Sequence, residues 1–460
     1  MTRHVIVGAG PAGLAAAVTL RALAPKAEIA LVCDEPPYAR MVLPYYLAGE
    51  VEEQALATGD AAWFESLRVQ TRLGARASGL DAKARRLLLD DGSSLRYDRL
   101  LVATGSRVAT PEVEGIDAPG VVSMWTLRDA KRYLGRGRGE TAIVGAGFIA
   151  FTVLDALCAR SSRVRFVELE TRVLPRMLDA PGSAAASRQL AARGIEVRTG
   201  VRLERIDPVA GRHRLRLAGG ATLEADAVVL ATGVLPNVEF LAGSGIAVDR
   251  GILVDDRLRA NVPEVFAAGD VAQGADLLGG PPRIQAIQPT AVDHGRVAAA
   301  NMAGFDVAYA GSLTMNVLAA QGIEACSFGR WEEDADALRV ENAANGIYRK
   351  YVFEGPVLVG GILVGPGAAV TGTNDVGMLK GLIQTAAPLG PWKEYLRENP
   401  LDLRRVYVAS GTAKRLLGST LLAGRAVARG GFRFPALPAA RRRTPHHAVL
   451  VEGAPAAKPA

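Results

Sequence analysis

The sequence predicts an α/β protein made of two doubly wound, parallel-sheet units, and three observations predict it. A glycine turn, GAGPAG at 8–13, follows an apolar run and opens a helix-like stretch. A second turn, GAGFIA at 145–150, has the same surroundings. Each is followed by a series of short strand-like runs that closes in Ala-Thr-Gly, at 103–105 and at 231–233. Repetition of a whole layout is far more specific than either turn alone.

Taken in order, Val5-Ile6-Val7 suits a central parallel strand. Gly8 permits the tight turn, Gly10 lets a pyrophosphate approach the backbone, and Gly13 allows close helix–strand packing. Pro11 and Ala12 begin the helix, whose unpaired N–H groups and positive dipole end favour phosphate. The next strand, 29–33, runs into Asp34 and Glu35, where a carboxylate can accept from adenosine ribose hydroxyls. A turn-rich stretch, YARMVLPYY at 38–46, carries Arg40 and Tyr45, and 72–106 reads as strands with a hairpin turn at Asp91-Gly92.

The second unit repeats this pattern. A strand at 141–144 leads to Gly145, Gly147, Phe148, Ile149 and Ala150, and the strand at 164–167 ends on Glu168. Ala150 replaces the third glycine, one extra methyl read as tolerated. The stretch 198–234 then has the layout of 72–106 and ends near Gly233, as the first ends near Thr104 and Gly105. Further on, VFAAGDV at 265–271 places Gly269 and Asp270 at a backbone turn, where the acid can accept from a ribityl hydroxyl. Two sites imply two nucleotides, one resident and one exchangeable, because a redox relay needs both.

Composition narrows the classes. At 460 residues two to four domains are expected. The formal charge of +7 owes four of its positive charges to Arg441, Arg442, Arg443 and Lys458, and no aromatic-interleaved basic stripe is present, so nucleic acid is not expected as a partner. Cys33, Cys158 and Cys326 lie far apart, which excludes a CxxC pair and a cysteine-rich Fe–S motif and points to a reducing, cytoplasmic setting. No apolar run reaches membrane-spanning length, and His446-His447 lacks ligand spacing, so neither a transmembrane segment nor a metal site is expected. His294 is read as a helix-start histidine satisfied by backbone, and Met315 and Asn316 as strand residues near the cofactor or an interface.

The order GxGxxG, ATG, GxGxxA with an acid, ATG and FAAGD resembles the pyridine nucleotide-disulfide oxidoreductase family over about 3–380. The resemblance implies two Rossmann-like domains, a C-terminal α+β domain that often dimerises, and FAD and NAD(H) as cofactors. It implies an FAD-binding domain from 1–110 and 243–304, an NAD(H)-binding domain at 111–242 and the α+β domain at 305–385. A helical extension at 386–434 and a disordered tail at 435–460 are expected beyond it. Gly8, Gly10, Pro11, Ala12, Gly13, Asp34, Glu35, Arg40, Thr104, Gly105, Gly269 and Asp270 are then assigned to FAD. Gly145, Gly147, Phe148, Ile149, Ala150, Glu168 and Gly233 are assigned to NAD(H), with Glu168 favouring NADH over NADPH despite Arg172 nearby.

Departures from the family pattern shape the activity. Met41 stands where disulfide-using members carry a redox cysteine, Tyr45 where ferredoxin and rubredoxin reductases carry a lysine, and Thr152 where many members have a glutamate. Tyr45 is a candidate flavin cover. Without an internal cysteine relay, the electrons must leave to an external acceptor. RMVLPYYLAGE, GFIAF with LPRMLD, and LGPWKEYLRENPLDLRR are similar to a subgroup of flavin subunits in anaerobic multi-subunit oxidoreductases, such as phenylglyoxylate dehydrogenase and the tungsten-dependent aldehyde oxidoreductase. That resemblance implies hydride transfer between NAD(H) and FAD and electron exchange with an Fe–S protein or subunit. Two alternatives stay open. One is a free-standing NADH oxidase, quinone reductase or nitrite-reductase-type flavin unit, and the other a flavin-bearing scaffold or redox-sensing subunit. The extension, with Trp392, Tyr395, Leu396 and Leu401 among charges, is expected to pack on its own protomer in preference to docking a partner.

Overall fold

A computed structural model describes residues 1–370 and 374–417. The expected disordered tail at 435–460, and 418–434 of the extension, lie outside the described residues.

Two five-stranded parallel sheets carry the repeat. The first has the order Val265–Ala267, Arg99–Val102, Arg3–Val7, Glu28–Cys33, Val69–Leu73. The second has the order Glu196–Arg198, Arg163–Val167, Glu140–Val144, Ala227–Leu230, Val121–Ser123. The central strands are largely apolar because both faces are covered, one by helices and the other by an antiparallel meander. Against each sheet sits a three-stranded antiparallel meander, Ala77–Asp81 with Arg86–Leu89 and Ser94–Arg96 in one case, Leu203–Val209 with Arg212–Leu217 and Thr222–Ala225 in the other. Gly92, at φ 80°, closes the hairpin expected at Asp91-Gly92. The units are joined by two crossing strands, Ser106–Val108 and Val234–Pro236, paired antiparallel.

The third sheet is antiparallel, in the order Met315–Ala320, Ile323–Gly329, Val357–Gly365, Ile347–Glu354, Ala337–Asn342. Helix Asp375–Thr385 and the extension helices Trp392–Glu398 and Leu403–Ala409 cover it. Leu396, Leu403 and Val406 are buried with Phe328, Tyr351 and Leu379. The Tyr351 hydroxyl donates to the Pro400 carbonyl at 2.9 Å, and Asp336 pairs with Lys393 at 2.6 Å and Arg397 at 2.7 Å. The described part of the extension therefore packs on its own chain, although Leu401 is exposed.

One core crosses the units. Leu43, Leu47 and Leu56 of the first share a cluster with Ile143, Phe151 and Phe166 of the second and with Leu318, Tyr348 and Ile362 of the third sheet. Side chains of this size each contribute about 1.5–3 kcal/mol on burial, so the cluster fixes the relative placement of the walls of the cleft between them. His294 departs from expectation. It lies inside helix Gln288–Met302 rather than at its start, and its Nε2 meets Ser312 Oγ at 3.3 Å rather than backbone.

Candidate functional site

Both glycine turns open into one continuous cleft of about 1840 Å³. That exceeds the roughly 300–1,000 Å³ of a single small-molecule site. In the first turn the Gly8 N–H donates to Val32 O at 2.7 Å; in the second, the Gly145 N–H donates to Val167 O at 2.8 Å. Gly8 and Gly145 have φ of 109° and 99°, and a Cβ on either would strike the carbonyl of Ala103 or Ala231 at 2.1 or 2.4 Å. Only glycine fits both constraints. At Gly10 and Gly147 a Cβ would meet nothing within 4 Å, so each leaves a space at the start of its helix. Neither helix, Pro11–Leu23 or Phe148–Arg160, has a side-chain cap at its N-terminus, so the first-turn N–H groups are free to bind a phosphate. The residues present thus fit two dinucleotides.

The cleft wall includes Pro11, Ala12, Asp34, Glu35, Arg40, Thr104, Gly105, Gly269 and Asp270 from the first set of expected residues, and Phe148, Ile149, Glu168 and Gly233 from the second. Three expected residues are elsewhere. Gly13 lies under the turn, where a Cβ would strike Gly8 O at 2.0 Å, and Ala150 is fully buried in the core. Tyr45, on the short helix Leu43–Ala48, is 53% exposed and not part of the cleft wall; Met41, Leu43 and Pro44 face the cleft from this segment. A flavin-covering role for Tyr45 therefore has no geometric support.

Strand register separates the two units at their acids. Val7 pairs with Val32 as Val144 pairs with Val167, so Cys33 occupies the place of Glu168. The buried Glu168 carboxylate accepts from the backbone N–H groups of Ala146 and Glu170, bracing the glycine turn. In the first unit burial pushes the Cys33 thiol up, and backbone hydrogen bonds from Glu35 and Ala9 oppose this. The first unit's carboxylates come one and two residues later and are already paired: Asp34 with Arg76 at 2.8 Å, Glu35 with Arg40 at 3.1 Å. Burial raises the Glu35 carboxyl against the pull of Arg40. Asp270 accepts from Ser106 Oγ at 2.8 Å, and burial raises its carboxyl too.

Other groups are already engaged. The Thr104 hydroxyl donates to Asn237 O at 2.8 Å across the crossing strands, and that of Thr152 donates to Ile149 O at 2.7 Å. The Arg172 guanidinium, also on the cleft wall, donates to the carbonyls of Pro175 and Leu178 at 3.2 and 3.4 Å, which holds its own loop. Met315 and Asn316 reach the wall from the third sheet.

The sequence reading ended the strand at Cys33 but did not single it out as the counterpart of Glu168, and it missed Trp125, which lines the cleft between the units. Aligning ALVCDE with RFVELE exposes the first; nothing in the local pattern marks the second.

The model of the family described as pyridine nucleotide-disulphide oxidoreductase matches residues 2–295, and that of the rubredoxin NAD+ reductase C-terminal domain matches 315–375. The chain is 31% identical to the epsilon subunit of NADH-dependent phenylglyoxylate dehydrogenase from Aromatoleum evansii, over 88% of this chain and 96% of that one. It is 37% identical to the ferredoxin–NAD(+) reductase component of the anthranilate 1,2-dioxygenase system from Burkholderia cepacia, over 66% and 77% of the two chains. Among solved structures, an NAD-dependent persulfide reductase from A. fulgidus superposes with a TM-score of 0.77 at 28% identity, covering 85% of this chain and 78% of that one. With two glycine turns on one cleft and a family match across both units, this chain belongs to the pyridine nucleotide-disulphide oxidoreductase family and is an FAD- and NAD(H)-dependent oxidoreductase.

Proposed function

We propose that the chain moves a hydride between NAD(H), held at the second glycine turn, and FAD, resident at the first, and exchanges the electrons singly with an Fe–S protein or subunit in the cytoplasm. The observation that carries this reading is the single cleft shared by both turns, with Met41 rather than a cysteine at position 41 of its wall. FAD supplies the conversion between a two-electron hydride and single electrons. The balance is NADH plus two oxidised Fe–S centres giving NAD⁺, a proton and two reduced centres.

The protein's part is positional. The Gly10 and Gly147 spaces seat the two pyrophosphates, and Glu168 offers its remaining lone pairs to a free ribose 2′-hydroxyl, which favours NADH. Glu170 and the exposed Leu169 flank it on the cleft wall and offer no cation to a 2′-phosphate. The residues assigned above to each nucleotide, and the division into an FAD unit from 1–110 with 243–304 and an NAD(H) unit at 111–242, are part of this proposal. So is the assignment of 305–385 to a separate α+β domain that can join two copies.

The acceptor reading has support in the names of two relatives, one a subunit of a larger dehydrogenase and one a ferredoxin–NAD(+) reductase component. The test is to reduce the purified protein with NADH without oxygen, then compare reoxidation by a small ferredoxin and by air. Return at least tenfold faster with ferredoxin is expected. Fast return in air with none to ferredoxin would overturn the acceptor assignment in favour of an oxidase.

A further inference from the structure

Arg40 belongs to the first unit, yet its guanidinium also stacks on a residue of the second. It lies 4.8 Å from the ring centroid of Trp125 and 5.9 Å from that of Tyr38, with Glu35 at 3.1 Å as its counter-ion. Trp125 follows the edge strand Val121–Ser123 of the second sheet, so the stack bridges the two units. The ring cannot turn freely, because its Nε1–H donates to Ser106 O at 2.7 Å. Ser106 in turn donates from its hydroxyl to Asp270, so the indole is tied through one residue to the acid of the FAAGD turn. A third link runs the other way, from the Leu127 N–H to the Tyr38 hydroxyl at 3.1 Å. Trp125, Arg40, Glu35, Gly10 and Asp270 all line the same cleft, and of the four tryptophans Trp125 alone does so.

We propose that Trp125 is a positioning residue of the FAD site, contributed by the second unit, which orients Arg40 toward the FAD pyrophosphate. This rests on FAD occupying the first glycine turn. An arginine on a flexible stem loses rotamer freedom when it binds phosphate, and an aromatic face that holds the guanidinium beforehand reduces that cost. Glu35 alone cannot do this, since it meets the guanidinium at one oxygen only, Oε1 at 3.1 Å, and not as a bidentate pair that would also fix its plane. The site is then complete only when the two units are docked, so FAD retention reports on their docking.

The experiment strips the full-length protein of FAD and titrates FAD back into the wild type, W125A, W125F, R40A and W125A/R40A, with NADH binding to the stripped proteins measured alongside. W125A is expected to weaken FAD by roughly five- to thirtyfold, W125F to recover most of it, and NADH affinity to stay within about twofold. Because Trp125 acts through Arg40, adding W125A to R40A should change FAD affinity by less than about twofold. FAD affinity unchanged in W125A, or equal additional losses in the R40A background, would overturn the positioning role. Should W125A not fold, W125F against W125L answers the same question, since only the first keeps an aromatic face; equal FAD affinities for those two would overturn it. A wild type that takes up no FAD would overturn the FAD site itself and this role with it.

Discussion

His294 shows how burial fixes the charge state of a single residue. Fully enclosed beside Ser312 and the Tyr309 ring, which meets it edge-on at 5.0 Å between centroids, the imidazole is held neutral, and burial pushes its pKa down from 6.5 to about 4. The unfolded chain takes up a proton there as pH falls through 6.5, whereas the folded chain refuses it until about 4. Stability is therefore lost across that window on acidification, by at most about 3 kcal/mol from this residue. H294Q, which cannot charge, is expected to give a denaturant-unfolding profile shallower than wild type by about one proton between those pH values. Parallel profiles would contradict it. The residue's position in a helix interior could have been read from Pro289, which marks the first turn of the helix, whereas its contact with Ser312, 18 residues on, could not. Glu168 was legible from its place at a strand end. The equivalence of Cys33 to Glu168 was not, because the two carboxylates that follow Cys33 drew attention away from it.

At the scale of the element, each glycine turn separates ligand fit from fold stability. Gly10 and Gly147 have φ of −76° and −89°, open to any residue, and their missing side chains leave empty space. A larger residue there keeps the turn and fills only the phosphate seat. G10V should purify folded but without FAD. G147V should keep FAD and lose reduction by NADH by about a hundredfold or more. The reverse pattern, read from the flavin content and its bleaching, would exchange the two assignments. These turns, both parallel sheets and both meanders follow from local glycine placement and apolar runs, and so could be read in advance. The crossing strands Ser106–Val108 and Val234–Pro236 could not, since three-residue strands carry no periodicity and their pairing joins positions over a hundred residues apart.

For the whole molecule, the shared core explains why two units, one edge of the third sheet and a helix-bearing segment make a single cleft. Leu43 and Leu47 leave the first unit to pack with Phe151 of the second, and Arg160 of the second donates back to Leu47 O. Apolar spacing announces that such residues are buried but not against what, so the composition of this wall was hidden, as was the partner of the extension helices. Among the described residues no helix is long and apolar enough to cross a membrane. The central claim, that one cleft brings a resident FAD and an exchangeable NADH together, is tested most directly by rapid anaerobic mixing of the FAD-loaded protein with NADH and, separately, NADPH. Loss of the oxidised flavin absorbance with one equivalent of NADH per FAD is expected, and at least tenfold slower loss with NADPH. No bleaching by NADH, with FAD firmly bound, would contradict it.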